Sequence, residues 1–350
     1  MKKVFVGLSG GVDSSVSAYL LKKQGFNVTG VFIKVWHPDF ISCNWRAEMH
    51  DAMRVCAKLK IPFLLCDLEA EYKKGVIDYM ISEYELGRTP NPDVMCNKEI
   101  KFKAFLSFSI NNGADYIATG HYAQNLFKDD KYHLVASKDI NKDQTYFIWN
   151  LNQEILSKVL FPIGHLEKTE VRKIAKKAGL FTASKKDSQG LCFIGPVNMK
   201  DFLRKFLKTE PGNVLDLDGK IIGHHEGSIL YTIGERHNFE IFHKKNEDDA
   251  HYVVGKDIKN NTITVSDFKK DVSIKKVVIN MINLIQDNLL TEKNIEVKTR
   301  YRQENQKCTI VKYNSDKMEL EFENPQTTLA SGQSIVLYLN DECLGGGVIV

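Results

Sequence analysis

The stretch Gly7-Leu8-Ser9-Gly10-Gly11-Val12-Asp13-Ser14-Ser15 constrains the fold more than any other part of this 350-residue chain. It follows an apolar run, Lys3–Leu8, and opens a segment, Asp13–Gln24, whose residues Val16, Leu20 and Leu21 recur at helical spacing. A glycine-rich turn from strand to helix lets backbone N–H groups close around phosphate oxygens, and the helix N-terminus adds partial positive charge. Ser9, Ser14 and Ser15 offer hydroxyl donors to the same oxygens, and Asp13 is placed to cap the helix or to hold Mg2+. An ordinary capped turn explains a lone Gly-Gly but not the whole string in this setting. The string lacks Gly-Lys-Thr, so it is not the NTPase P-loop, and it does not match Gly-x-Gly-x-x-Gly.

Strand and helix keep alternating after the loop. Asn27–Ile33, Ile61–Cys66 and Asp115–Ala118 read as strands, while Glu69–Tyr84, Lys98–Ser109 and Val171–Ala178 read as helices. Met49, Ala52, Met53, Cys56 and Leu59 share one further helical face. Such alternation predicts an α/β domain, a parallel sheet covered by helices on both faces, over residues 1–200. The pattern changes near Pro211, where strands shorten and turns such as Asp216-Leu217-Asp218-Gly219 and Asn314-Ser315-Asp316 recur. Val253–Gly255 and Thr262–Ser266 flank Lys259-Asn260-Asn261 as a hairpin, and Arg236–His251 reads as a mobile, charged loop. Lys276–Ile282, Ile295–Arg302, Thr309–Tyr313, Met318–Phe322 and Ser334–Tyr338 are all β-type, which predicts a small barrel. The expected division is a first domain over 1–200, a central β-rich module over 201–272 and a C-terminal β-barrel over 273–350.

No apolar run is long enough to span a membrane, and the start lacks the apolar core of a signal peptide, so a cytoplasmic protein is expected. A net charge of +4, from 48 basic and 44 acidic residues, permits a nucleic-acid partner without requiring one. The cysteines (Cys43, Cys56, Cys66, Cys96, Cys192, Cys308, Cys343) form no C-x-x-C pair and no zinc spacing, so reduced thiols and no metal site are expected. Cys56 and Cys66 fall on apolar faces and read as core.

Cys96 and Cys192 are different. Cys96 lies in Thr89-Pro90-Asn91-Pro92-Asp93-Val94-Met95-Cys96-Asn97-Lys98, where the prolines fix an extended segment and a helix is expected to begin just after the thiol. A helix N-terminus with Lys98 and Lys101 nearby predicts a lowered Cys96 pKa, and Asp93 is placed for general acid–base work. Cys192 sits in a second polar, lysine-flanked, Gly-bounded loop, Lys185–Gly195.

The first loop resembles the PP-loop of ATP pyrophosphatases, an adenine nucleotide alpha hydrolase-like, Rossmann-like fold. Gly87-Arg88-Thr89-Pro90-Asn91-Pro92-Asp93 with Cys96-Asn97 and Ala118-Thr119-Gly120-His121-Tyr122 resemble the tRNA-specific 2-thiouridylase family. So do Lys142-Asp143-Gln144-Thr145-Tyr146-Phe147, Phe161-Pro162-Ile163-Gly164 and Asp187-Ser188-Gln189-Gly190-Leu191-Cys192-Phe193, in one order along the whole chain. The chain departs from the family's Gly-Gln-Arg-Lys-Gly-Leu-Gly-like segment at Gly234-Glu235-Arg236-His237-Asn238-Phe239, which bears on tRNA contacts rather than on the chemistry.

The resemblance implies ATP-dependent 2-thiolation of the wobble uridine of tRNA, with no permanently bound cofactor and with Mg2+ accompanying ATP. It places ATP on Gly7, Leu8, Ser9, Gly10, Gly11, Val12, Asp13, Ser14, Ile33 and Gly120, although Ile33 reads equally well as core. Asn91, Pro92 and Asp93 would meet the target base, and His121, Lys142, Asp143, Gln144, Arg300, Tyr301 and Gln333 the tRNA. Cys192 would take a persulfide from a sulfur-relay protein or cysteine desulfurase, Cys96 would act as nucleophile and Asp93 would assist proton transfer. The order of the two sulfur attacks stays open, and the Cys192 segment, about Ala183–Gly195, is expected to be mobile or displaced without tRNA and to close over the site when tRNA and ATP bind. A PP-loop synthetase adenylating a small molecule is the alternative; it needs the loop but neither cysteine.

Overall fold

A computed structural model describes residues 1–41, 45–187, 190, 192–195, 197–242, 250–267, 273–286 and 294–350. Cys43, Ser188, Gln189, Leu191 and residues 243–249 of the expected mobile loop lie outside these described residues.

The first sheet joins β1 (Lys3–Gly7), β2 (Asn27–Lys34), β3 (Phe63–Asp67) and β4 (Tyr116–Ala118). After a hairpin of β5 (Ala123–Lys128) and β6 (Lys131–Ala136), β7 (Val159–Leu160) completes it. The order is β3-β2-β1-β4-β7 and every pairing is parallel. Val4, Val6, Val31 and Ile117 are fully buried, as central strands covered on both faces require. Helix α1 (Val12–Lys23) buries Val12, Val16, Ala18 and Leu21 against this sheet. Gly11 is its N-cap without any side-chain cap, so the capping role expected of Asp13 is corrected. Helix α2 (Trp45–Leu59) buries Ala52, Val55, Cys56 and Leu59, whereas Met53, expected on that face, is exposed.

Two longer helices, over 69–85 and 92–111, form the wall of the site. Each is π-wound in its middle, at Lys73–Asp78 and Cys96–Ala104. The second begins at Pro92 rather than after Cys96, because proline suits the first helical position and the Asn91 side chain accepts from the Val94 N–H at 3.2 Å.

The central sheet comprises β8 (Gly212–Leu215), β9 (Ile221–His225), β10 (Phe239–Ile241), β11 (Tyr252–Asp257) and β12 (Thr262–Ser266), ordered β10-β9-β8-β12-β11. The hairpin expected around Asn260-Asn261 is present, with Asn261 at φ +50. Part of the expected 236–251 loop is instead the edge strand β10, paired to His225 and Gly223.

The barrel uses β13 (Ile274–Leu284), β14 (Asn294–Lys298), β15 (Gln306–Tyr313), β16 (Lys317–Gln326), β17 (Ser334–Leu339) and β18 (Glu342–Ile349). It closes through β13–β18, and the early hairpin joins the same sheet where β6 pairs β18. Strand β18 escaped the sequence reading because Gly345-Gly346-Gly347 looks like a turn. A Cβ on Gly346 would stand 3.1 Å from the Trp149 ring, so the run lets this strand lie flat on the first part of the chain. Among the described residues, no helix is long and apolar enough to cross a membrane.

Candidate active site

The phosphate loop leaves β1 at its carboxyl end. Gly10 takes φ +69, where a Cβ would meet the Glu48 carbonyl oxygen at 2.7 Å. Gly11 is extended and starts α1. The Ser9 N–H donates to Ser14 Oγ at 3.2 Å, and Ser15 Oγ donates to the Gly11 carbonyl at 2.6 Å, which winds the turn tightly. Gly120 lies directly behind it: a Cβ there would stand 2.7 Å from the Ser14 nitrogen. Ile33 is buried in the core near Gly7, which matches its alternative reading.

A ring of charge around this loop went unseen in the sequence. Both Asp13 carboxylate oxygens accept from Lys168 Nζ at 2.8 Å, and one also accepts from the Tyr122 hydroxyl at 2.8 Å. Lys168 also pairs with Asp187 at 2.8 Å, which further binds Lys142 at 2.7 Å and Arg172 at 2.8 Å. Lys185 donates to the Gly10 carbonyl at 3.1 Å and pairs with Asp51. Burial pushes the Asp187 carboxyl up, but Lys142 and Lys168 outweigh it and hold the group at about 2. The signal available beforehand was the i, i+4 pair Lys168 and Arg172 on one helix face. No cluster of three or more metal-ligating side chains exists among the described residues, and Asp13 is already engaged by Lys168.

The two loop thiols meet. Cys96 Sγ donates to Cys192 Sγ at 3.3 Å, although 96 residues separate them, and both are free thiols. The described part of the Cys192 segment is therefore docked in this structure. Three backbone contacts hold it. The Cys192 N–H donates to Asp93 Oδ1 at 3.2 Å, the Tyr72 hydroxyl donates to the Cys192 carbonyl at 2.8 Å, and His37 Nε2 meets the Phe193 carbonyl at 3.1 Å.

The expected pKa shift falls on the other sulfur. Cys96 is fully buried, and desolvation together with the neighbouring Cys192 pushes its thiol well up. Cys192 is lowered by the Cys96 hydrogen bond, against burial and with help from Lys101. The helix begins four residues before Cys96, which carries that thiol inward, away from the exposed first turn that would have lowered it. Burial pushes the Asp93 carboxyl up.

The residues expected on tRNA divide into two groups. His121 and Asp143 are both buried and turned inward. His121 meets Thr119 Oγ1 at 2.7 Å and Asn97 Oδ1 at 3.1 Å, and Asp143 accepts from the Ser137 N–H and the Thr145 hydroxyl. Gln144 Oε1 accepts from the Tyr122 N–H at 2.9 Å. Gln333 Nε2 donates to the Thr89 and Pro90 carbonyls at 2.8 and 3.1 Å, tying the barrel to the Asn91-Pro92-Asp93 segment. Tyr301 packs on Phe147 at 4.6 Å between ring centroids, and Arg300 beside it is exposed.

A phosphate loop at the carboxyl edge of a parallel sheet, with a half-buried acid and two touching thiols on the adjoining helix and loop, defines a PP-loop enzyme of thiol chemistry. Residues 2–196 match the family described as tRNA methyl transferase HUP domain. Residues 200–267 match the tRNA methyl transferase PRC-barrel domain, and 274–349 the aminomethyltransferase beta-barrel domain. The tRNA-specific 2-thiouridylase MnmA of Proteus mirabilis (strain HI4320) is 45% identical over 99% of this chain and 97% of its own. That of Streptococcus mutans serotype c is 47% identical over 99% and 95%. A 4-thiouridine synthetase–RNA complex with bound ATP is 22% identical, covering 58% of this chain and 50% of that one at a TM-score of 0.35. The chain belongs to the tRNA-specific 2-thiouridylase family.

Proposed function

We propose that this chain thiolates the 2-position of the wobble uridine of tRNA in the cytoplasm, using ATP with Mg2+ on its phosphates and sulfur from a persulfide donor protein. The observation that carries the reading is the Cys96–Cys192 contact at 3.3 Å, with Asp93 on the Cys192 N–H. A synthetase acting on a small molecule has no use for two touching thiols. The methyl transfer in the family description fits them no better, since a methyl acceptor needs one nucleophile and no sulfur carrier.

The uridine C2 oxygen is a poor leaving group. In the proposed sequence O2 attacks the α-phosphorus of ATP, pyrophosphate leaves, and AMP becomes the leaving group at C2. Gly7–Ser14 and Gly120 cradle the phosphates, with Lys168 and its neighbours offsetting their charge. The outer sulfur of a Cys192 persulfide then bonds to C2 and AMP departs. The Cys96 thiolate attacks the Cys192 sulfur, so the uridine leaves with its sulfur and a Cys96–Cys192 disulfide remains for a two-electron reductant to reset. Asp93, raised by burial, takes and returns the proton between these steps. The base, held by Asn91, Pro92 and Asp93, is flipped out of its stack to reach the thiols. The three domains 1–200, 201–272 and 273–350 would grip the tRNA together, with Lys142, Gln144, Arg300, Tyr301 and Gln333 toward it.

The test is nucleoside analysis of tRNA incubated with the enzyme, ATP, Mg2+ and a desulfurase. 2-Thiouridine should appear with one AMP per base, and Cys192→Ser should abolish it while tRNA-dependent pyrophosphate release persists. AMP formation without tRNA, on an added small acid or amine, would overturn the reading in favour of a synthetase.

A further inference from the structure

The helix over 92–111 carries a lysine for which the scheme above has no use. Because the helix is π-wound over Cys96–Ala104, its hydrogen bonds span five residues and residues five apart come to one side. That brings Lys101 beneath Cys96, whereas a five-residue step in an α-helix turns about 140° away. Lys103, two positions on, faces outward to Glu99 at 2.6 Å. The Lys101 side chain instead runs to the Cys192 segment, its Nζ 5.7 Å from the Phe193 ring centroid. There its charge faces the Cys192 sulfur, Cys96 and Asp93.

The Cys192 backbone is fixed below this ammonium by Asp93, Tyr72 and, one residue on, His37. Phe193 is held at φ +67, a conformation a non-glycine residue keeps only when its surroundings impose it. The sulfur is thus delivered to the lysine rather than left to find it.

We propose that Lys101 is the counter-ion of the Cys192 sulfur, holding the negative charge there in preference to Cys96, as a thiolate before sulfur is loaded and as a persulfide anion afterwards. The second half rests on the role given to Cys192 under the proposed function; the first does not. Two sulfurs at 3.3 Å cannot both ionise, so one proton is shared between them and a cation facing the pair biases where it resides. The ionisable groups facing Cys192 are Asp93, Cys96 and Lys101 from the 92–111 helix and Tyr72 from the 69–85 helix, with His37 following β2. The Cys96 hydrogen bond lowers Cys192 most and Lys101 is the cation that adds to it, while burial and Asp93 oppose them. Charge on Cys192 and a proton on Cys96 make Cys192 the sulfur that is loaded first. Cys96 becomes a nucleophile only once the charge has been used.

The experiment is site-resolved iodoacetamide labelling as a function of pH on the whole reduced enzyme, without tRNA, ATP or sulfur donor. Wild type should label Cys192 before Cys96, with a midpoint below that of an ordinary thiol. Lys101→Met should move the Cys192 midpoint up by about one to three pH units and cut the Cys192-to-Cys96 labelling ratio at pH 7 by about tenfold or more. Lys101→Arg should restore most of the preference, which a packing role for the alkyl stem would not distinguish from Met. A wild-type preference for Cys96, or an unchanged Cys192 midpoint in folded Lys101→Met, overturns the proposal. If the Met variant does not fold, Lys101→Gln is read in the same way beside the wild-type measurement. Because no tRNA is present, failure of the thiolation assay and failure of this one are separate results.

Discussion

At position 121 a histidine is shut away from solvent between Thr119 and Asn97, and its isolation has a measurable consequence. Burial, and then the charge of Lys101, push its pKa well below the ordinary value. The folded chain therefore keeps the ring neutral while the unfolded chain protonates it near pH 6.5. Because the folded-state pKa is depressed, the contribution is complete above pH 6.5 and is lost as pH falls below it, at up to about 1.4 kcal/mol per pH unit. Urea midpoints taken from pH 7.5 down to 5.5 should fall accordingly, and His121→Gln should flatten that part of the slope. Equal slopes in the two proteins would mean that the ring is not held neutral. The same residue shows what a motif leaves out. Thr119-Gly120-His121-Tyr122 marks the end of β4 in the sequence, but not which side chains turn inward there. Likewise both thiols were legible as special, while the division of charge between them depended on burial that only the fold sets.

Between elements, the decisive contact is the barrel turn 330–333 against the 88–93 segment. The Thr89 N–H donates to the Ser331 carbonyl at 2.8 Å, and Gln333 holds the Thr89 and Pro90 carbonyls. Gly332 has φ +92, and a Cβ on it would stand 2.9–3.0 Å from the Thr89 backbone. Gly332→Ala should therefore cost about 1–3 kcal/mol and push the Asn91-Pro92-Asp93 segment out of place. The expected result is a fall of about tenfold in tRNA thiolation, with the ATP-induced thermal shift unchanged, since the phosphate loop is untouched. Wild-type turnover in the folded variant would show that the barrel does not position this segment. Nothing local in the sequence foretold the contact. The parallel sheet was readable because each strand is a short apolar run beside an amphipathic helix, and most barrel strands because their residues alternate. The glycine strand β18, the capture of the 123–136 hairpin by the barrel and the π-winding at Cys96–Ala104 depend on partners far along the chain.

Over the whole molecule the charges nearly cancel, at +4, so attraction to RNA depends on where the basic groups are free. Lys142, Lys168, Arg172 and Lys185 gather at the phosphate loop but are matched there by Asp13, Asp51 and Asp187. Arg300 stands elsewhere. It is exposed on the barrel, next to a corner anchored where the Tyr146 hydroxyl meets the Thr299 and Ser334 carbonyls at 3.2 Å each. A guanidinium on a fixed corner loses little freedom on meeting a phosphate, whereas Lys142 must first leave Asp187 at 2.7 Å. Each phosphate neutralised releases counterions, so tRNA affinity should fall steeply with salt. Arg300→Ala should then make the slope of log affinity against log salt shallower by about one contact. Lys142→Ala should change the slope less, because part of its charge is already spent on the carboxylate. The measurement is tRNA binding by filter retention or fluorescence from about 50 to 200 mM salt, the range over which phosphate contacts are most visible. An Arg300→Ala slope equal to wild type would place that corner off the tRNA path and leave the phosphate-loop cluster as the main positive surface.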